Sequence, residues 1–274
     1  MTQIHAGTPK PALRLAGVTK AFGATEVIRG VDWSIQQGEC HVLIGPNGAG
    51  KSTLFHLMSG RYPLSSGTIH LNDIDVTRYG ANRISRSGLG RSFQTANIFG
   101  RMSVFENARI GALRAAGHGP SFLRVLRRGG PADIRALEIL DEVGLLDKRN
   151  EPAALLSYAD QRALEIALAL AGNQRVLLFD EPTAGMNKHD TRNVIDLLHR
   201  LRAADSSRTM VIIEHDMDVV FELADRISVL VYGEIIACDT PAQVRANRAV
   251  QEAYLGTPAS PDTEPGSVTE ALKR

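Results

Sequence analysis

Apolar and polar residues follow a period close to two over residues 13–18 and 27–35, which predicts two strands with a turn at Gly23 between them. A short apolar run at 40–44 leads into a glycine-rich stretch and then a helix expected to reach about residue 59. Further strand signals lie at 68–71 and 89–93. From 104 to 147 the period lengthens to that of a helix, with glycine and proline breaks at 117–120 and 129–131. Strand and helix then alternate again, as strand 176–179, helix 188–203, strand 209–213 and helix 217–224. Residues 226–231 and 235–238 close the series as a hairpin about Tyr232-Gly233-Glu234. This order predicts an α/β core with a mostly helical insertion near residues 95–170, and no internal repeat.

Composition narrows the picture. Hydrophobic residues make up 43% of 274, ample for a continuous core in one large domain, expected over 12–256. Net charge is +1, from 31 Lys and Arg against 30 Asp and Glu, so the broad basic field expected of a nucleic-acid partner is absent. Cys40 and Cys238 each fall in an apolar, strand-like segment, which implies no disulfide framework. No apolar run approaches the roughly 18 residues of a membrane-crossing helix, so another chain must cross any membrane this one serves. Residues 1–11 and the proline-rich stretch 257–274 are expected to be disordered.

The glycine-rich stretch, Gly45-Pro46-Asn47-Gly48-Ala49-Gly50-Lys51-Ser52, fits G-x-x-x-x-G-K-[ST] at every fixed position and is followed by Thr53. Its glycines let the backbone turn successive N–H groups toward one phosphate, and the helix that follows points its positive end at the same anion. Lys51 is placed to reach the β- and γ-phosphates, and the Ser52 hydroxyl to ligate Mg²⁺. In Val176-Leu-Leu-Phe-Asp-Glu-Pro-Thr183 an apolar strand ends in two acids. Asp180 stands where a Mg²⁺-holding carboxylate belongs, and Glu181 is placed to polarise an attacking water. Asn187-Lys-His-Asp190 matches the Asn-Lys-x-Asp element that reads guanine in GTPases, but no strand separates it from Asp180, which argues against that class.

The ordered set GPNGAGKST, RSFQTANIF, LSYADQRALEIA, VLLFDEPTAGMN and IIEHDM resembles the ATP-binding subunits of ABC transporters, over about residues 13–256. FDEPTAGMN, IIEHDM, LADRISVL and EAYLG are similar, more narrowly, to the branched-chain amino acid importer type. The resemblance implies a P-loop NTPase core, a mixed sheet with flanking helices, carrying an inserted helical subdomain. It implies that Phe22 stacks on adenine, that Gln94 contacts Mg²⁺ or the lytic water, and that His215 touches the γ-phosphate. Asn187 takes the D-loop position. Ser157, Tyr158, Ala159, Asp160 and Gln161 form the signature that caps ATP held by a facing subunit. Ser157 and Asp160 also read as an S-x-x-D capping box whose carboxylate turns back toward the N-cap amide. A carboxylate facing the γ-phosphate would weaken closure. Glu214, His215 and Asp216 diverge in extended chain and are not expected to share a metal.

The implied function is ATP hydrolysis at the cytoplasmic face of the cell membrane, powering import of branched-chain or related amino acids through separate permease subunits. A second ATPase subunit is the expected partner, with a solute-binding protein acting indirectly. Residues 94–107 are expected to offer exposed apolar anchors for docking. An exporter ATPase and a soluble, non-transport ABC ATPase are the alternatives this sequence leaves.

Overall fold

The computed structural model describes residues 10–92, 98–115, 129–172 and 174–255. The chain opens with β1 (Pro11–Phe22) and β2 (Thr25–Gln36), and continues through β3 (Cys40–Ile44), α1 (Lys51–Met58), β4 (Ser66–Leu71) and β5 (Ile74–Asp75). Next come α2 (Ala81–Arg86), β6 (Leu89–Arg91), α3 (Val104–Ala115), α4 (Pro131–Glu142) and α5 (Tyr158–Leu170). The last part holds β7 (Val176–Asp180), α6 (Lys188–Ala204), β8 (Thr209–Ile213), α7 (Met217–Leu223), β9 (Arg226–Val231), β10 (Glu234–Asp239), α8 (Pro241–Ala246) and α9 (Arg248–Leu255). Among these residues the strands form a four-stranded antiparallel sheet, β2-β1-β4-β5, and a six-stranded sheet, β10-β9-β3-β8-β7-β6. Neighbours in the larger sheet run parallel except at the β9–β10 hairpin.

β3, β7 and β8 are buried at every position, which is why they read as apolar runs and not as alternating ones. Their period of two still sorts the core into two layers. Leu43, Val176, Leu178, Val211 and Ile213 face α1 and the antiparallel sheet. Val42, Leu177, Phe179, Met210 and Ile212 face the helices, in one cluster with Ile139 of α4, Leu164 of α5 and Leu198 of α6. Of the inserted helices, α5 meets the parallel sheet at β6, and α3 and α4 pack on α5.

The hairpin turns on Tyr232 (φ 48) and Gly233 (φ 83), two consecutive left-handed residues of the kind a right-twisted pair of strands favours. β1 begins at Pro11, so the expected disorder of 1–11 does not extend to its last residue; residues 1–9 and the tail 257–274 lie outside the described residues. Neither the β5–α2 excursion nor α8 and α9 is signalled by periodicity, because each is too short. Val104, expected among exposed docking anchors, is fully buried. A reciprocal capping box explains it: Ser103 N donates to Glu106 Oε2 (2.8 Å) and Glu106 N to Ser103 Oγ (3.1 Å), starting α3 with Val104 turned inward.

At the opposite end of β3 from the glycine loop lies a buried polar cluster. His41 Nδ1 pairs with Glu39 Oε1 (2.5 Å), and its Nε2 meets Ser228 Oγ (2.8 Å) and Trp33 Nε1 (3.3 Å). Burial opposes both charges, yet bonds to Cys238 and Glu39 hold the His41 pKa above its ordinary value, and the His41 and Gln36 partners hold Glu39 below its own. A raised histidine stabilises fully below its unfolded pKa of 6.5 and loses that contribution as pH rises through its folded value; the lowered glutamate acts only above its own 4.5. The denaturation midpoint should therefore fall as pH rises above 6.5. That slope should be smaller in Glu39→Gln, as urea titrations at several pH values would show.

Candidate active site

The C-terminal ends of β3, β8 and β7 lie side by side, with Leu43 paired to Ile213 and Ile213 to Asp180. The three loops that follow therefore open at one sheet edge, the usual place for a ligand in an open α/β fold. Gly45–Gly50 leaves β3 and enters α1 without a side-chain cap or an acid in the first turn. Gly45 is required sterically, since a Cβ there would lie 2.1 Å from the Leu230 carbonyl oxygen. Gly50 adopts φ 105 with Ile28 Cδ1 only 2.8 Å from a would-be Cβ. Asn47 and Gly48 are exposed and Ala49 is buried, its carbonyl accepting from Gly233 N (3.0 Å), so the β9–β10 turn braces the loop. Pro46 and Thr53 are half-buried and Ser52 is exposed.

Lys51 folds its ammonium over the loop and donates to the carbonyls of Gly45 (2.7 Å) and Pro46 (3.0 Å). Burial pushes its pKa down, with the carboxylates of Glu181 and Asp180 acting the other way. Asp180 is buried. Its Oδ2 accepts from Arg91 Nη2 (3.0 Å), and its Oδ1 has no hydrogen-bond partner. An orphaned, buried carboxylate oxygen and an exposed serine hydroxyl at the start of α1 make an all-oxygen donor set that suits Mg²⁺. Glu181 sits at φ 48, held by its own N–H on the Ile213 carbonyl (2.9 Å) and by Arg162 Nη2 on its carbonyl (3.4 Å). Its Oε1 lies 3.9 Å from Nδ1 of the exposed His215.

The three consecutive residues at the end of β8 separate as their extended geometry requires. Buried Glu214 accepts from Thr183 N (3.1 Å), Thr183 Oγ1 (2.5 Å) and His215 N (3.1 Å), stapling the two loops together. His215 turns toward Glu181, and Asp216 caps α7. No metal-holding cluster of three occurs among the described residues. Asn187 and Asp190, the guanine-like pair, are engaged with each other as the N-cap of α6 (Asp190 N to Asn187 Oδ1, 2.9 Å). Phe22 is exposed at the end of β1, edge-on to Tyr62 and beneath Lys20 Nζ at 4.9 Å, while Tyr62 stacks on His56 of α1. Gln94 lies outside the described residues.

Ser157 caps α5, accepting from Asp160 N (3.2 Å), and Ala159 is buried beneath it. The expected reciprocal bond is different in one respect. Asp160 does not return to the Ser157 amide; its Oδ2 accepts from Ser157 Oγ (2.7 Å) and from Lys148 Nζ (2.5 Å). Aspartate is one methylene shorter than the glutamate of the α3 box, and the neighbouring ammonium draws its carboxylate aside. Tyr158 is exposed and donates to the Ala184 carbonyl (3.2 Å), while Gln161 Nε2 reaches the Leu156 carbonyl (3.2 Å). Sequence reasoning assigned no role to Arg91, Lys148 or Tyr62. Arg91 stands inside the quoted RSFQTANIF motif, but its partner is 89 positions away, and no local pattern reports that.

The general model of the ABC transporter family matches residues 28–184, more than half of the chain, and a model described as branched-chain amino acid ATP-binding cassette transporter matches 234–260. The chain belongs to the ATP-binding subunits of ABC transporters. Within that family it is 36% identical over 255 residues to the high-affinity branched-chain amino acid transport ATP-binding protein LivG of Escherichia coli K12, covering 90% of this chain and 98% of LivG. Among solved structures, the ADP conformation of the ATP-binding cassette MJ1267 aligns with a TM-score of 0.79 at 28% identity, over 90% of this chain and 99% of that one. The dimeric post-hydrolysis state of the cassette MJ0796, bound to ADP and Pi, aligns at 0.69 and 25%, over 84% and 98%. This ABC subunit is thus an ATPase that couples hydrolysis to transport, of branched-chain amino acid type, with the cassette fold the sequence implies. No described helix is long and apolar enough to cross a membrane.

Proposed function

We propose that the chain is the ATP-hydrolysing subunit of an importer for branched-chain or related amino acids, held at the cytoplasmic face of the cell membrane by permease subunits. The observation that carries the mechanism is the meeting at one sheet edge of Lys51, Asp180, Glu181 and His215 around the glycine loop. The loop amides and the α1 terminus bind the phosphates, Lys51 leaves its loop carbonyls for the β- and γ-phosphates, and Phe22 supplies a face for adenine. Ser52 and the free Oδ1 of Asp180 would hold Mg²⁺, which neutralises charge on the β- and γ-oxygens when bound. Glu181 takes a proton from the attacking water, and His215 bears on the γ-phosphate.

Ser157 and the N-terminus of α5 stand exposed, away from the chain's own glycine loop in sequence, and cap ATP held by a second cassette. The dimeric state of MJ0796 with ADP and Pi supports that pairing. Docking to the permease falls to the exposed Phe99 and Leu155, whose backbones adjoin through the Ala154 N–H on the Gly100 carbonyl (3.0 Å).

The solute class is supported by the LivG relationship and the branched-chain match at 234–260. Purifying the complex from membranes should bring down permease chains and a second ATPase. Leucine-loaded binding protein should raise ATP turnover several-fold, and ribose should not. A complex that no branched-chain amino acid stimulates would overturn the solute assignment.

A further inference from the structure

We infer that Lys148 is a positioning residue for the trans phosphate contact: it neutralises Asp160 and frees the Ser157 hydroxyl to donate. The inference rests on the facing-subunit reading above. Lys148 ends a 3₁₀ turn, Leu146–Lys148, and a second such turn, Ala153–Leu155, separates it from α5. Its Nζ and Ser157 Oγ converge on the same oxygen, Asp160 Oδ2, at 2.5 and 2.7 Å. Burial alone would raise the Asp160 carboxyl, but the Lys148 and Ser157 bonds outweigh it and keep the group ionised below its ordinary value.

A serine hydroxyl has one proton to give, and here Asp160 holds it. Donating to the γ-phosphate means turning that proton away from the carboxylate. Any phosphate oxygen bonded to Ser157 Oγ then stands roughly 4–5 Å from an acid, far inside the screening length, where like charges repel. Lys148 meets both demands. It satisfies Oδ2 when the hydroxyl turns, and it cancels the charge that the phosphate would otherwise face. An ion pair with side chains 42% and 24% exposed adds little to folding, so its effect belongs to the charge presented at the helix terminus.

The test uses the assembled complex and measures the ATP concentration at which half the maximal nucleotide is retained after vanadate trapping. Lys148→Met should raise that concentration about tenfold, a change of about 1.4 kcal/mol, and high salt should shrink the difference. Lys148→Arg should restore it. In an Asp160→Asn background, Lys148→Met should have almost no further effect. Thermal unfolding of Lys148→Met should match the parent, which separates the effect from misfolding. Equal half-saturation in Lys148→Met and parent, or an undiminished penalty in the Asp160→Asn background, overturns the inference. Unchanged retention in Ser157→Ala would instead overturn the facing-subunit reading, and the inference with it.

Discussion

Glu181→Gln is expected to lower ATP turnover by about 10²- to 10⁴-fold while leaving nucleotide binding intact. The side chain keeps its volume and loses only its basicity, and the Lys51 hydrogen bonds run to the Gly45 and Pro46 carbonyls, not to it. Glu181 holds a left-handed backbone that costs a non-glycine residue about 1–3 kcal/mol. That conformation survives the substitution, because its anchors are the backbone N–H on Ile213 and the carbonyl under Arg162. The loss should therefore fall on kcat with KM nearly unchanged, as for an interaction made in the transition state. Bound ATP should persist, and the paired cassettes should accumulate in the closed form, visible as retained nucleotide after desalting. Turnover within about threefold of the parent would remove Glu181 from its role.

The second large effect concerns Arg91. Arg91→Met should destabilise the fold by about 3–5 kcal/mol, the usual consequence of stripping one partner from a buried ion pair. The side chains of Arg91 and Asp180 are 6% and 2% exposed, so water cannot take the place of the lost guanidinium. The same arginine donates to Ser59 Oγ (2.9 Å) and stacks over Phe55 of α1 at 5.9 Å, so it ties β7 to the helix that follows the glycine loop. Burial presses its pKa down, against the pull of Asp180. Methionine fills the volume but leaves Asp180 without a partner on either oxygen. Urea unfolding measures the loss, and adding Asp180→Asn should recover a good part of it, since the two effects share one interaction. A double variant as unstable as the sum of the singles would show that the pair is not the cause. Arg91→Lys should fall between, keeping the charge but not the planar fork.

How far the sequence reads on its own depends on the range of the interaction. The glycine loop, the acid pair at the end of β7 and the Tyr232-Gly233 turn are legible because each follows from a few adjacent residues and their backbone demands. The order of strands 176–180 and 209–213 was equally plain, since buried parallel strands are unbroken apolar runs. Arg91, Lys148 and Tyr62 act on partners brought near by folding, and their neighbours in the chain carry no hint of it. Val104 misled because an apolar residue at the start of a helical pattern looks the same whether it serves a partner or a core. The capping box at Ser103 and Glu106 decides it. Asp160 misled through the length of one side chain.

The Glu214 staple has a consequence for how the two faces of the cassette can move. From His215, hydrogen bonds run through Glu214 to Thr183, and from Ala184, the next residue, to the Tyr158 hydroxyl beside Ser157. The loop that carries His215 and the start of α5 at Ser157 are thus joined through the side chains of Glu214 and Tyr158. A disturbance at one should be felt at the other as a change in tension along a short tether, so the two ATP sites of a pair would answer to each other without either cassette bending its core.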